Sequence, residues 1–219
     1  MKPWTTLEHA TVPGGGGLEL REHDGEYVIR ADGYDLMISR AHDSEDAMMA
    51  LACPRPRPGA RVLVGGLGMG YTLRGALTLL PEKASATVVE LVPEVIEWNR
   101  GVLGPLAGRP LDDPRTKLVC GDVRDAIKAG RADFDAMLLD IDNGPEPTAR
   151  REPWLYTAAG LAAIERALRP GGAVAVWSVD DSLPFERRLR AAGLASSSHA
   201  VHGHHGRGTR FVIFVGRKR

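Results

Sequence analysis

The sequence predicts an α/β fold: a Rossmann-like, doubly wound, mostly parallel seven-stranded sheet with an antiparallel last strand, plus a small N-terminal antiparallel β element. Three observations predict it. Arg61-Val62-Leu63-Val64 runs into Gly65-Gly66-Leu67-Gly68-Met69-Gly70, and a helix-like segment follows; this is the strand–turn–helix entry of a nucleotide-type α/β unit. Beyond it, short aliphatic runs alternate with helical stretches, the rhythm of parallel strands joined by crossover helices. Ahead of it, Asp24-Gly25 and Asp32-Gly33 separate three strand candidates, and such dipeptides close antiparallel hairpins.

Taken in order, the first residues, through the glycine run at 14–17, read as a loose arm. Strands are expected at 18–23, 26–31 and 34–40. Asp43 or Ser44 then caps a short helix ending at Ala52, packed through Met48, Met49 and Leu51. Cys53-Pro-Arg-Pro-Arg-Pro-Gly59 is a stiff linker, because three prolines forbid a helix. The expected division is therefore 1–54, the β element with its helix, and 55–219, the Rossmann-like domain. In the second part strands are predicted at 62–65, 86–91, 117–120, 134–140 and 173–178. Helices are predicted at 71–80, 93–100, 123–129, 157–168 and 184–192. Two late strands, near 195–201 and 210–215, flank a loop at 202–209.

Composition excludes several classes. The chain has 219 residues with 28 basic and 28 acidic side chains, hence zero net charge, which argues against a nucleic-acid partner. Cys53 and Cys120 stand far apart in no metal-ligand pattern, which reads as free thiols in a reducing cytoplasm. No apolar run reaches membrane-spanning length and no signal peptide opens the chain. His199, His202, His204 and His205 have no cysteine or acid beside them in a ligand pattern, so they read as a solvated hairpin, and no metal is expected.

In such folds the ligand sits outside the carboxyl ends of the strands. Gly66-x-Gly68-x-Gly70 does not have the G-x-G-x-x-G spacing of dinucleotide folds; it is the spacing associated with S-adenosylmethionine-type transferases. Glu90 ends the second strand, where a carboxylate accepts both ribose hydroxyls of a nucleoside or simply meets solvent. Asp122, in Cys120-Gly121-Asp122-Val123, suits an adenine amine, a helix N-cap, or both. Asp140 ends the apolar strand Ala136-Met137-Leu138-Leu139. There a carboxylate can orient an amine nucleophile and take its proton, or cap the following loop. Asp142 and Asn143 follow it and are candidates for contact with the substrate. His42, Asp43, Glu45 and Asp46 form a polar cluster that could gate the site. Trp154 and Tyr156 read as packing aromatics.

From about residue 59 to residue 176 the chain resembles the spermidine synthase (polyamine aminopropyltransferase) family, a branch of the S-adenosylmethionine-dependent methyltransferase-like superfamily. Val62-Leu-Val-Gly-Gly-Leu-Gly-Met-Gly-Tyr-Thr-Leu-Arg74 resembles its glycine loop, and Glu90-Leu-Val-Pro-Glu-Val-Ile96 its ribose-binding strand end. Leu111-Asp-Asp-Pro-Arg115 followed by Gly121-Asp122 is the most specific piece. Phe134-Asp135 through Asp140, Leu155-Tyr156-Thr157 and Leu168-Arg-Pro-Gly-Gly172 continue in register. Met69 stands where the family has an acid, and Asp140-Ile-Asp-Asn143 where it reads Asp-Ser-Ser-Asp. On the first helix, Ala47-Met48-Met49-Ala50 replaces the family's Tyr and Glu.

The resemblance implies a cytoplasmic transferase that uses decarboxylated S-adenosylmethionine, or S-adenosylmethionine itself, to move an aminopropyl group to an amine. Gly66, Gly68 and Gly70 would shape the donor pocket, Glu90 would hold the ribose, Asp122 the adenine, and Asp140 would be catalytic. A small-molecule methyltransferase and a non-catalytic nucleoside-binding paralogue are the alternatives. The resemblance also suggests a homodimer.

Overall fold

The computed structural model describes residues 3–141, 144–145, 154–204 and 207–219. A four-stranded antiparallel sheet comes first, in chain order: β1 (Thr5–Thr11), β2 (Gly17–His23), β3 (Glu26–Ala31) and β4 (Tyr34–Ile38). The residues expected as a loose arm supply β1 instead. Gly14, Gly15 and Gly16 all take positive φ, turning the chain so that Ala10 pairs with Leu18 and Thr11 with Gly17. The glycine run is a turn between strands, not a tether.

Helix α1 (Asp43–Ala52) follows. The expected cap by Asp43 or Ser44 is not made: the N-cap position is His42, and its side chain makes no capping bond. Asp43, Glu45 and Asp46 lie in the first turn, where the helix dipole favours negative charge.

The large sheet contains β5 (Arg61–Gly65), β6 (Ser85–Glu90), β7 (Thr116–Cys120), β8 (Phe134–Leu139), β9 (Leu168–Ser178), β10 (Leu194–His204) and β11 (Arg207–Lys218). Their order is β10-β11-β9-β8-β5-β6-β7. Neighbours from β7 to β9 are parallel, and β11 is antiparallel to both β9 and β10. The last hairpin is longer than the sequence suggested. Residues 202–204 and 207–209 extend its strands, and His202 pairs with Arg210; His205 lies outside the described residues.

Among the described residues, five more α-helices cover the sheet: α2 (Tyr71–Leu79), α3 (Pro93–Arg100), α4 (Val123–Ala129), α5 (Ala158–Ala167) and α6 (Leu183–Ala191). The central strands alternate their side chains between two cores. Val62, Val64, Ala136, Leu138, Ala173, Ala175 and Ile213 join a core with residues of α1, α2, α3 and the small sheet. Leu63, Met137, Leu139, Val174, Val176, Val212 and Phe214 join a second core with residues of α4, α5 and α6. Burial on both faces explains why these strands read as unbroken aliphatic runs. Asp135 ties linker to sheet: it accepts from Arg57 Nε at 2.8 Å, Arg61 N at 2.8 Å and Arg169 Nη1 at 2.9 Å.

Because β5 lies between β6 and β8, chain order reverses at its carboxyl end. That point is where open α/β sheets leave a crevice for ligand, and the glycine loop stands on it.

Candidate active site

The loop is held from several sides. Gly66 N–H donates to Val89 O at 3.0 Å, and Asp140 N–H donates to Gly65 O at 3.0 Å. Gly66 has φ +86°, and a Cβ there would lie 2.2 Å from the carbonyl oxygen of Asp140, so only glycine fits. At Gly68 (φ +51°) a Cβ would meet Met37 Cε at 3.0 Å; Met37 Sδ accepts from Met69 N–H at 3.2 Å. The small sheet therefore reaches the loop through one methionine of β4. Gly70, at φ +86°, is the N-cap of α2. Asn99, buried on α3, donates through Nδ2 to Gly68 O at 2.8 Å. Met69 is fully buried in the core.

Glu90 is 7% exposed. Its Oε2 accepts from Leu67 N–H at 2.8 Å and its Oε1 from Val92 N–H at 2.9 Å. Each carboxylate oxygen keeps a second lone pair with which to meet a ligand hydroxyl. Asp122 is the N-cap of α4, accepting from Arg124 N at 2.8 Å and Arg124 Nε at 2.6 Å. The hydrogen bond from the Arg124 guanidinium holds its carboxyl below the usual range. The capping expected of Asp122 is thus made. In the Leu111–Arg115 segment, Arg115 grips Asp113 through Nε (2.9 Å) and Nη2 (2.7 Å), a local clamp that shapes the approach to β7.

Asp140 stands at the end of β8. Thr72, on the first turn of α2, donates through Oγ1 to Asp140 Oδ2 at 2.7 Å. Burial raises the Asp140 carboxyl above the ordinary range, and the Thr72 bond opposes the rise. A second acid is brought close by α1. Glu45 is 5% exposed and its carboxyl is pushed up to about 8, first by burial and next by the charge of Asp140. Ser44 Oγ donates to Glu45 Oε2, and Trp177 Nε1 donates to Ser44 Oγ at 3.2 Å.

The remainder of the expected polar cluster is occupied. Arg74 Nε donates to Asp46 Oδ1 at 3.0 Å, its Nη2 lies 3.0 Å from His42 Nδ1, and its guanidinium stacks over Tyr71 at 4.6 Å. His42, Asp43 and Asp46 place three ligand atoms within 4.8 Å of one another, and Arg74 already supplies a cation there. Tyr71 donates to Ser39 O at 2.9 Å, and burial pushes its hydroxyl up to about 12.

The Glu45 shift has a sign that can be measured. A carboxyl raised in the folded state favours folding most below its unfolded value and loses that contribution as pH rises through about 8. Glu45→Gln is therefore expected to unfold at a higher temperature than wild type at pH 8, by a margin worth about 4 kcal/mol. The margin should close towards pH 4.5. Parallel melting curves across that range would remove the assignment.

Sequence reasoning named Gly66, Gly68, Gly70, Glu90, Asp122 and Asp140, and the structure gathers the loop, Glu90 and Asp140 at the crevice. Asp142 and Asn143 lie outside the described residues. Asn99 and Trp177 carried no motif, and Thr72 was noted only as part of the stretch that resembles the family's glycine loop. Glu45 was noted only as part of the polar cluster. Tyr156 packs edge-on against Phe185 with centroids 5.6 Å apart, and Trp154 lies under Lys128 Nζ at 4.7 Å.

A family model described as the spermine/spermidine synthase domain matches residues 44–189. A polyamine aminopropyltransferase of Korarchaeum cryptofilum is 29% identical over 179 residues, covering 80% of this chain and 52% of the relative. Putrescine N-methyltransferase 2 of Nicotiana attenuata is 33% identical over 122 residues, 54% of this chain and 30% of the relative. The chain spans about half the length of the first relative and less of the second. Spermidine synthase from Thermotoga maritima shares the fold, with a TM-score of 0.74 at 18% identity over 98% of this chain and 72% of that one. The matched span runs from α1 into α6 and holds the glycine loop, the three strand-end acids and the Leu168–Gly172 start of β9, and the chain belongs to the spermine/spermidine synthase family.

Proposed function

We propose that the protein transfers the aminopropyl group of decarboxylated S-adenosylmethionine to an amine. The observation that carries this reading is that one family match spans the glycine loop, Glu90, Asp122 and Asp140, with Asp140 buried beside the loop. In this reading Gly66, Gly68 and Gly70 give the donor close access to backbone, Glu90 takes the ribose and Asp122 the adenine. Asp140 faces the acceptor. The amine nitrogen attacks the carbon next to sulfur, the C–N bond forms and the C–S bond breaks. The bonding pair goes to sulfur, leaving a neutral thioether; Asp140 takes one proton from the acceptor ammonium before the attack, which frees the lone pair, and the product leaves as a secondary ammonium. Most of the acceleration comes from holding nitrogen, carbon and sulfur in line. Thr72 contributes by fixing the carboxylate. The protein acts in the cytoplasm as a homodimer in this reading.

Methyl transfer from S-adenosylmethionine is the second reading. The similarity to a putrescine N-methyltransferase favours it, as does Met69, an apolar buried side chain at the loop position where the family has an acid. Calorimetric titration with each donor separates the two. Tighter binding of the decarboxylated donor, at least tenfold, is the expected result. A preference for S-adenosylmethionine would put methyl transfer first, and folded protein that binds neither would end both readings.

A further inference from the structure

We propose that Glu45 is a second carboxylate of the acceptor pocket, a positioning residue that holds the amine against Asp140. The inference rests on the reading of Asp140 as the acceptor-side acid. Three observations point to it. First, α1 packs on α2 and β8, and Thr72 Oγ1 bridges them, 3.9 Å from Met48 Sδ and 2.7 Å from Asp140 Oδ2; the buried Glu45, one turn before Met48, feels the Asp140 charge. Second, among the described residues neither acid has an ion-pair partner: Arg74, the guanidinium on the adjoining helix, is taken by Asp46. The other titratable groups that Glu45 feels or acts on are Asp46 and Tyr71, and neither is a cation. Third, both acids are oriented. Thr72 fixes Asp140 Oδ2, while Trp177 holds Ser44 and Ser44 holds Glu45 Oε2.

Two buried carboxylates that repel each other without a counter-ion are costly. Glu45 does not cap its helix, and an apolar residue beside Met48 and Met49 would pack without that cost. A primary ammonium relieves it, since three N–H donors can reach both acids. Once the ammonium gives its proton to Asp140, Glu45 still accepts from a remaining N–H and fixes the direction of the lone pair.

The test is calorimetric titration of 1,4-diaminobutane and, separately, of 5′-methylthioadenosine into wild type, Glu45→Gln and Glu45→Asp. Glu45→Gln should weaken the diamine about tenfold or more and leave the nucleoside within about twofold; Glu45→Asp should recover part of the loss. Equal diamine affinity in wild type and Glu45→Gln, or equal loss of both ligands, overturns the proposal. So does a wild type that binds the nucleoside but not the diamine. Diamine binding that depends on Glu45, in a protein that binds no nucleoside, would support the acid pair and sink the donor reading instead.

Discussion

On the proposed aminopropyl transfer, an Asp140→Asn protein is expected to bind the sulfonium donor as wild type does and to turn over about 10²- to 10⁴-fold more slowly, the usual contribution of a positioned general base. The amide is nearly the same shape, and its oxygen can keep the bond from Thr72 Oγ1, 2.7 Å away in the wild type. What it loses is the capacity to take a proton and the charge that attracts an ammonium. Removing a carboxylate whose burial already resists ionisation should not harm the fold, so melting temperature serves as the control. Release of 5′-methylthioadenosine in single turnover reads the chemical step directly. Turnover within about threefold of wild type would show that the nitrogen's proton leaves by another route.

The second large effect is expected at Gly66. Alanine there combines a backbone at φ +86° with a Cβ placed 2.2 Å from a carbonyl oxygen. That oxygen belongs to Asp140, whose N–H is itself held by Gly65, so neither partner can yield alone. Gly66→Ala should cost about 3 kcal/mol or more of stability and lower donor affinity about a hundredfold. Gly68→Ala is the contrast. Its obstacle is the tip of Met37, a flexible thioether that can swing away, and its loss should be several-fold smaller. Denaturant midpoints of the two variants decide the matter: equal losses would mean that glycine is needed here for backbone angle alone.

The large sheet was legible because its central strands are buried on both faces and its turns carry proline, glycine or a capping acid. Helix α4 falls at 123–129 as expected because Asp122 caps it and Gly130 ends it. Strand β1 was hidden for a local reason. Its burial is confined to Ala10, so Thr5–Thr11 shows no apolar alternation, and three glycines beside it look like a tether until they are seen to turn. Glu45 was hidden for a global one. Only the packing of α1 over the sheet sets it near Asp140, and nothing in the spacing of Asp43, Glu45 and Asp46 says which acid points inward. Asp46 instead meets Arg74, a partnership across 28 positions. The glycine loop was legible as a turn, but not its dependence on Asn99 and Met37, which arrive from α3 and β4.

The indole of Trp177 has one further consequence. It is half-buried, rests against Phe211 with ring centroids 4.8 Å apart, and gives its N–H to Ser44, one hydroxyl away from Glu45. Indole emission responds to the polarity and charge around the ring, so neutralising the acid pair changes the light that this residue emits. The fold thus places one of the chain's four tryptophans two hydrogen bonds from Glu45, and its share of the emission is expected to follow the charge state of that acid.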